Sequence, residues 1–170
     1  MNEKQLKDAF QKMQNGDREQ FALIYEQLKK PVFTIAYRIT LSQASAEDIT
    51  HDLFLELLSS PPPPKVENPR AWIFKMARNL AIDALRKKQP IEPLEESVLS
   101  GEPDFTLRLD METAFSRLSE DERQLVALHL SAGLTFREVA SIVERPLGTV
   151  LWRYRLALGK LRNLLDGGNL

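Results

Sequence analysis

The chain has 170 residues, enough for one medium-sized domain or two small ones. Its hydrophobic fraction of 43% and charged fraction of 28% are ordinary for a globular protein, and no apolar run is long enough to span a bilayer. The absence of cysteine excludes disulfides and thiolate metal ligands. The first ten residues are charged and lack the apolar core of a secretory signal, so we expect a cytoplasmic location.

The net charge of −1 hides an uneven distribution. Residues 69–88 contain six basic residues and one acid, whereas residues 91–112 contain seven acids and one base. Residues 153–162 are basic again and contain no acid. For a nucleic-acid-binding protein this distribution matters more than the total, and it predicts two basic surfaces separated by an acidic segment.

In the first half, apolar residues recur at helical spacing and no stretch alternates as a strand does. Asp17 follows an Asn-Gly turn and is expected to cap a helix that Pro31 should end or kink. Ser45 and Asp48 have the spacing of a capping box. The helix that this box opens is expected to bury a stripe formed by Ile49, Leu53 and Leu57.

Prolines mark the next boundaries. The run 61–64 excludes helix and favours a stiff, extended loop, and Asn68-Pro69 then restarts a helix that reaches about Lys88. The acidic segment 90–104 is broken by Pro and Gly and is interpreted as a linker. When extended it would reach roughly 50 Å, which equals about 15 base pairs of DNA, so the two halves could sit on separate sites.

Four helix signals follow the linker. A helix begins after Asp104, and two capping boxes open the next two helices, Ser119 with Glu122 and Thr135 with Glu138. The last helix is expected over residues 148–165. The sequence therefore predicts an all-α fold of two small helical domains, 1–89 and 105–170, joined by the flexible linker 90–104.

Residues 134–161 have the layout of a helix-turn-helix unit. In its first helix, Val139, Ala140 and Ile142 are expected to face inward. The second helix of such a unit enters the major groove, with its first residues at base edges and its later basic residues near phosphates. From spacing alone, an αα-hairpin with a solvated basic face remains the alternative.

The segment LTFREVASIVERPLGTVLWRYRLALGKLR, residues 134–162, resembles the C-terminal domain of the extracytoplasmic-function (ECF) sigma factors, which reads the −35 promoter element. It departs from the family pattern at the turn, where Glu144 replaces glycine, and at Leu151 and Trp152, which replace Lys-Ser. The lower positive charge predicts a shallower salt dependence of DNA binding. The resemblance implies that the −35 residues are Arg137, Leu147, Thr149, Trp152, Arg153 and Arg155.

A second stripe of interest runs along residues 72–86, where an aromatic ring, an amide and cations share one helix face. Such a face suits single-stranded DNA, because bases stack on the ring and the cations follow the backbone. The alternative is a core-packed Trp72 and a solvated helix end. The segment NPRAWIFKMARNLAIDALRKK resembles the sigma-factor segment that reads and melts the −10 element. The resemblance implies DNA contacts by Trp72, Lys75, Arg78, Asn79, Arg86 and Lys87, and an extruded base held by the loop 59–68.

The acidic helix in the first half carries a third motif. SAEDITHDLFLELL, residues 45–58, resembles the sigma-factor helix that binds the clamp helices of RNA polymerase. An acidic stripe beside apolar residues suits a basic partner surface, whereas a core helix with a solvated acidic face is the alternative. The resemblance implies polymerase contacts by Asp48, Asp52, Phe54 and Leu55.

Together the three motifs predict a sigma factor of the ECF type. The implied partners are core RNA polymerase, through its clamp helices and flap, promoter DNA and an anti-sigma factor. No cofactor, metal or catalytic residue is expected, since the only histidines, His51 and His129, lie in separate predicted domains and no phosphate-binding glycine loop is present. The other readings are a stand-alone helix-turn-helix regulator and a helical interaction module, neither of which recruits polymerase.

Overall fold

A computed structural model of the chain describes residues 1–60, 62–87 and 105–166, without the side chains of residues 105–110. Within these ranges the secondary structure is entirely helical, as predicted. The predicted linker, 90–104, lies outside the described residues. Among the described helices, none combines the length and apolarity needed to cross a membrane.

The first half of the chain folds into four helices around a buried apolar core. The second helix lies at the centre of this core. Its residues Ile24, Val32, Ile35 and Ile39 are fully buried, and the other three helices all pack against it. The aromatic ring of Phe10 closes the core from the N-terminal side. The bounds are α1 Glu3–Gln14, α2 Glu19–Thr40, α3 Gln43–Ser59 and α4 Pro69–Lys87.

The second half begins with α5 (Phe105–Ser116) and α6 (Glu120–Val126), and a π-helical segment at Ala127–Ser131 prolongs α6. Helices α7 (Phe136–Val143) and α8 (Leu147–Leu165) follow as a helix-turn-helix. Both capping boxes predicted for this half are present, one at α6 and one at α7. The two halves share one continuous core, since α2 packs against both α6 and the π-helical segment.

Two local features in the first half differ from the sequence expectation. Pro31, expected to end or kink its helix, does not end it, because burial of apolar residues on both sides of the proline outweighs the one lost backbone hydrogen bond and α2 continues to Thr40. The capping box predicted at Ser45 is wrong, because Leu41 ends α2 in a left-handed conformation and α3 already begins at Gln43. Ser42 is therefore the N-cap and accepts a hydrogen bond from the backbone of Ser45, which is buried.

Glu144 forms the turn between α7 and α8 with a positive φ of 55°. A side chain with a Cβ is strained in this conformation, by about 1–2 kcal/mol, and glycine is not. We therefore expect Glu144→Gly to raise the free energy of unfolding by about 0.5–1 kcal/mol after the greater freedom of glycine in the unfolded chain is subtracted. Chemical denaturation of the variant and of the wild-type chain measures this change in the free energy of unfolding.

Glu144→Ala is the matched control, because it removes the same charge and keeps the Cβ atom. Alanine should give no gain in stability. Equal stabilities of the Gly and Ala variants would show that the left-handed turn carries no strain.

Candidate nucleic-acid interface

The helix-turn-helix of the second half is held by an apolar and aromatic interior. Val139 and Ile142 of α7 are buried against α8, which contributes Val150 and Ala157. An aromatic cluster closes one end, where the His129 ring stacks on Phe136 at 3.8 Å and Tyr154 meets both rings edge-on. This packing fixes α8 and leaves its opposite face open to solvent.

The outer face of α8 is more apolar than basic. Trp152 is 62% exposed, and Leu147 and Leu156 are also exposed. Arg155 is exposed, Thr149 is half-buried, and Arg137 is exposed on α7. Five of the six predicted −35 residues thus lie on α8 or on the adjoining α7 and are at least partly exposed. Within the part of the chain that the structure describes, neither Arg137 nor Arg155 forms an ion pair.

The sixth residue, Arg153, is engaged within the protein. Its Nη1 atom lies 2.9 Å from Oδ2 of Asp121 on α6, and Nη2 of Arg145 lies 3.8 Å from the same oxygen. One carboxylate therefore holds the guanidinium groups of the turn and of α8. Because all three side chains are at least one-third exposed, this contact is screened by water and orients the arginines more than it stabilises the fold.

Helix α4 presents a basic face on which most of the predicted −10 residues lie. Lys75, Asn79, Arg86 and Lys87 are exposed. Arg78 is half-buried, and its Nε donates a hydrogen bond of 2.8 Å to Oε1 of Gln124 in the second half. Burial lowers the pKa of Arg78, and nearby carboxylates oppose this effect.

Trp72 does not share the solvent-facing position of these residues. It is half-buried, and its ring meets Phe10 of α1 edge-on at 5.6 Å, because α1 packs against the start of α4. Trp72 thus packs against the core, as in the alternative considered from the sequence, while it remains partly exposed. Its DNA contact stays a prediction.

A surface formed by α2 and α3 carries acidic and apolar groups together. Asp48 and Asp52 are exposed, and Leu55 is 51% exposed. Leu55 also lines an apolar groove of about 360 Å³, together with residues that include Tyr25, Phe33, His51 and Leu58. We call this the acidic-apolar surface.

Phe54, the fourth residue predicted for this surface, is only 3% exposed. Its ring packs edge-on beneath Tyr25 at 4.9 Å and Phe21 at 6.3 Å. Helical spacing puts it three residues before the buried Leu57, on the side of α3 that meets Tyr25 of α2. Phe54 thus supports the acidic-apolar surface from below.

Several polar side chains join the two halves through contacts that the sequence did not predict. Asn68 donates to Glu138, Arg70 to the carbonyl of Ala132, and Arg78 to Gln124. The capping box of Thr135 with Glu138 and the helix start at Asn68-Pro69 are local sequence signals. Neither signal indicates that Asn68 and Glu138 contact each other. Among the described residues, no group of three or more His, Asp or Glu side chains could hold a metal ion.

Glu122 joins α6 to α8. Its Oε2 accepts from the Ser119 backbone at 2.9 Å and its Oε1 accepts from Lys160 of α8 at 2.7 Å. Burial raises the pKa of Glu122, but the hydrogen bonds from Lys160 and Ser119 outweigh it, so the pKa lies below its usual 4.5. A carboxylate with a depressed folded-state pKa stabilises the fold above its unfolded pKa, and this contribution is lost as the pH falls through the folded value.

We therefore expect Glu122→Gln to lower the free energy of unfolding near neutral pH and to have a much smaller effect well below pH 4.5. Denaturant unfolding at the two pH values measures the difference. The control is Glu120→Gln, which changes an exposed acid two residues earlier in the same helix. A deficit of the same size at both pH values would show that the ion pair contributes nothing.

Comparison with known families assigns both halves. The family model for sigma-70 region 2 matches residues 24–91, and the model for sigma-70 region 4 matches residues 114–163. Together they span more than two thirds of the chain. The first match contains α3 and α4, and the second contains the helix-turn-helix.

Curated relatives have the same organisation. The ECF sigma factor SigK of Mycobacterium ulcerans is 27% identical over 165 residues, with 89% of this chain and 88% of the relative covered. SigW of Bacillus subtilis is 24% identical over 183 residues, covering 96% and 98%. RpoE of Cereibacter sphaeroides reaches 41% identity over 101 residues, which is 54% of this chain and 55% of RpoE.

Solved structures share the fold. CnrH, determined in complex with the cytosolic domain of CnrY, superposes with a TM-score of 0.73 at 18% identity, covering 95% of this chain and 97% of CnrH. RpoE of Bartonella quintana, determined with the anti-sigma factor NepR, gives a TM-score of 0.69 at 21% identity, covering 88% and 98%. With regions 2 and 4 both matched in order and ECF relatives aligned along nearly its whole length, the chain belongs to the ECF group of RNA polymerase sigma factors.

Proposed function

We propose that this chain directs core RNA polymerase to promoters by holding the −10 element with its first half and the −35 element with its second. The observation that carries the proposal is the presence, in one molecule, of an acidic-apolar surface, a basic helix and a helix-turn-helix with an exposed reading face. A stand-alone DNA-binding regulator has no need of the first of these surfaces.

The acidic-apolar surface is the proposed docking site for polymerase. Asp48, Asp52 and Leu55 contact the clamp helices directly in this proposal, and Phe54 holds the surface in shape from beneath. Exposed acids complement a basic partner, and the groove beside them offers apolar area to bury. The second half is proposed to bind the flap of the same enzyme.

Helix α4 is proposed to bind the −10 element. Lys75, Arg86 and Lys87 are placed to follow the DNA backbone, and the amide of Asn79 can read a base edge. Arg78 joins them once its present partner is released. Trp72 offers only its exposed edge, and an extruded base is assigned to the loop 59–68, of which the structure describes all but residue 61.

Helix α8 is proposed to enter the major groove at the −35 element. Leu147, Thr149 and Trp152 near its start can contact base edges, and apolar side chains there favour thymine methyl groups. Arg153, Arg155 and Arg137 are assigned to phosphates or guanines. With three arginines in place of a densely basic face, binding should depend less steeply on salt than in more basic relatives.

The domain limits 1–89, 90–104 and 105–170 are part of this proposal, as are a non-catalytic mode of action and a cytoplasmic place of action. An anti-sigma factor is proposed as a further partner, because the similar RpoE of Bartonella quintana was solved with the anti-sigma factor NepR. The similar CnrH was solved with the cytosolic domain of CnrY.

Transcription with purified components tests the proposal. Core RNA polymerase is mixed with this chain and fragmented genomic DNA, and the 5′ ends of the transcripts are sequenced. We expect discrete start sites downstream of a shared pair of sequence elements. Arg155→Ala should weaken initiation at these sites while polymerase binding is unchanged. No affinity for the core enzyme and no start site above the core-alone background would overturn the proposal.

A further inference from the structure

We propose that helix α1 positions the loop 62–68 for a base of the −10 element, and that Gln14 is the residue that holds the loop in place. The inference rests on the proposed function, which assigns an extruded base to this loop. It adds an element outside the family match, because the region 2 model begins at residue 24 and α1 ends at Gln14. Gln14 is a positioning residue in this proposal, since it acts on DNA through the loop.

The loop lacks the backbone donors from which turns are usually built. Pro62, Pro63 and Pro64 have no N–H group, so none of them can donate a hydrogen bond to another part of the loop. Their rings stiffen the chain, so a contact at one proline orients its neighbours as well. The position of the loop on the domain therefore depends on contacts with other elements.

Helix α1 supplies one of these contacts. The side-chain amide of Gln14, the last residue of α1, donates a hydrogen bond from Nε2 to the backbone carbonyl oxygen of Pro63. Pro62 is buried, and Val66 further along the loop packs against the core. The loop is thus held by apolar contacts and by a hydrogen bond from α1.

Helix α1 is itself fixed, as an anchor must be. A capping box formed by Asn2 and Gln5 closes its N-terminal end. One face is buried along the length of the helix, and its buried residues are Leu6, Ala9, Phe10 and Met13. Because Gln14 directly follows a buried residue, its backbone is fixed to the core, and its bond to Pro63 fixes the loop to the core in turn.

The same helix also touches the tryptophan of the proposed −10 surface. The ring of Phe10 lies edge-on to the ring of Trp72, with 5.6 Å between the ring centres. Phe10 and Gln14 are one turn apart in α1 and therefore lie on the same side of the helix. That side of α1 contacts both the loop and Trp72, so it sets the spacing between them.

The position of the loop matters because extruding a base from the stack costs free energy that the pocket must recover. A loop that is already in place needs no further ordering when the base binds, and affinity is higher for that reason. The prolines limit the shapes of the loop, and Gln14 selects its position. Removal of the Gln14 donor should therefore weaken binding of the extruded base and leave polymerase docking unchanged.

Gln14→Met is the test variant, because methionine has a similar length and volume but no N–H donor and no charge. The matched control is Gln11→Met, which makes the same change at an exposed position one turn earlier in α1. Neither residue belongs to the acidic-apolar surface. Both variants should therefore form holoenzyme with the affinity of the wild-type chain and unfold at nearly the same denaturant concentration.

Binding of holoenzyme to fluorescein-labelled single strands measures the effect. The strands carry the non-template sequence of the −10 element found by transcript mapping, either intact or with one abasic site that is moved through the element. On the intact strand we expect Gln14→Met to bind about fivefold more weakly than wild type, the effect of one hydrogen bond. At the abasic site that replaces the extruded base, the two should bind equally, because the loop has no base to hold.

The Gln11→Met control should match the wild-type holoenzyme on every strand. A loss for Gln14→Met that is the same at every abasic site would indicate a general structural effect and would overturn the inference. Equal binding of Gln14→Met and wild type to the intact strand would overturn it too. A wild-type holoenzyme that binds every abasic strand as tightly as the intact one would show that the chain holds no −10 base, which overturns the proposed function and the inference with it.

Discussion

Asp48→Lys combined with Asp52→Lys is expected to abolish binding to core RNA polymerase while the chain stays folded. Both carboxylates are exposed and have no ionic partner among the contacts of the described residues, so their replacement costs the fold little. Reversing two charges that face a basic surface replaces attraction with repulsion, which costs several kcal/mol, or a loss of affinity of at least about 100-fold. Titration of labelled core enzyme with the wild-type chain and with the variant measures the loss of affinity.

The matched control reverses two exposed acids of α1, as Glu3→Lys combined with Asp8→Lys, and so makes the same change in net charge on a different surface. It removes only the exposed ion pair of Asp8 with Lys12, which contributes little to stability. Holoenzyme should form normally with this control. If the control loses polymerase as completely as the Asp48 and Asp52 variant, net charge and not the acidic-apolar surface governs binding.

Features specified by neighbouring residues were predictable from the sequence. The capping boxes of Ser119 with Glu122 and of Thr135 with Glu138 are both present, since each depends on two residues three positions apart. The buried stripe of Ile49, Leu53 and Leu57 follows from helical spacing. The exception, Ser45, was outcompeted by a residue further upstream, because Leu41 ends α2 in a left-handed conformation that no apolar pattern reveals.

Features that depend on distant residues were not predictable. Trp72 and Phe54 belong to motifs whose family role suggests exposure, yet α1 covers one and the aromatic residues of α2 cover the other. The bonds between the halves join residues 46 to 70 positions apart through polar side chains that have no periodicity. The length of the predicted linker is compatible with two separated halves. The packing of the halves against each other is seen only in the folded chain.

The apolar character of α8 has a consequence under the proposed function. A reading face with Trp152 and Leu156 exposed should make few phosphate contacts, so we expect weak binding to nonspecific DNA. In this proposal, docking at the acidic-apolar surface is the step that commits the chain to a promoter.

Phe54→Ala is expected to lower the free energy of unfolding by about 3–5 kcal/mol, a large share of the total for a small protein. The ring is almost fully buried, and its contacts with Tyr25 and Phe21 support the groove beside Asp48. Phe54→Leu keeps most of the buried volume and should cost about 1–1.5 kcal/mol. Thermal or denaturant unfolding measures both values.

The affinity of the Phe54→Leu variant for polymerase shows whether Phe54 supports the acidic-apolar surface or contacts polymerase directly. A residue that only supports the surface from below can be replaced by a smaller apolar side chain with a loss of affinity of no more than about threefold, because Asp48, Asp52 and Leu55 keep their places. A direct contact would be lost with the ring, and affinity would then fall as steeply for the folded Leu variant as for Leu55→Ala. Comparing the two variants at a temperature where both are folded separates support from contact at this position.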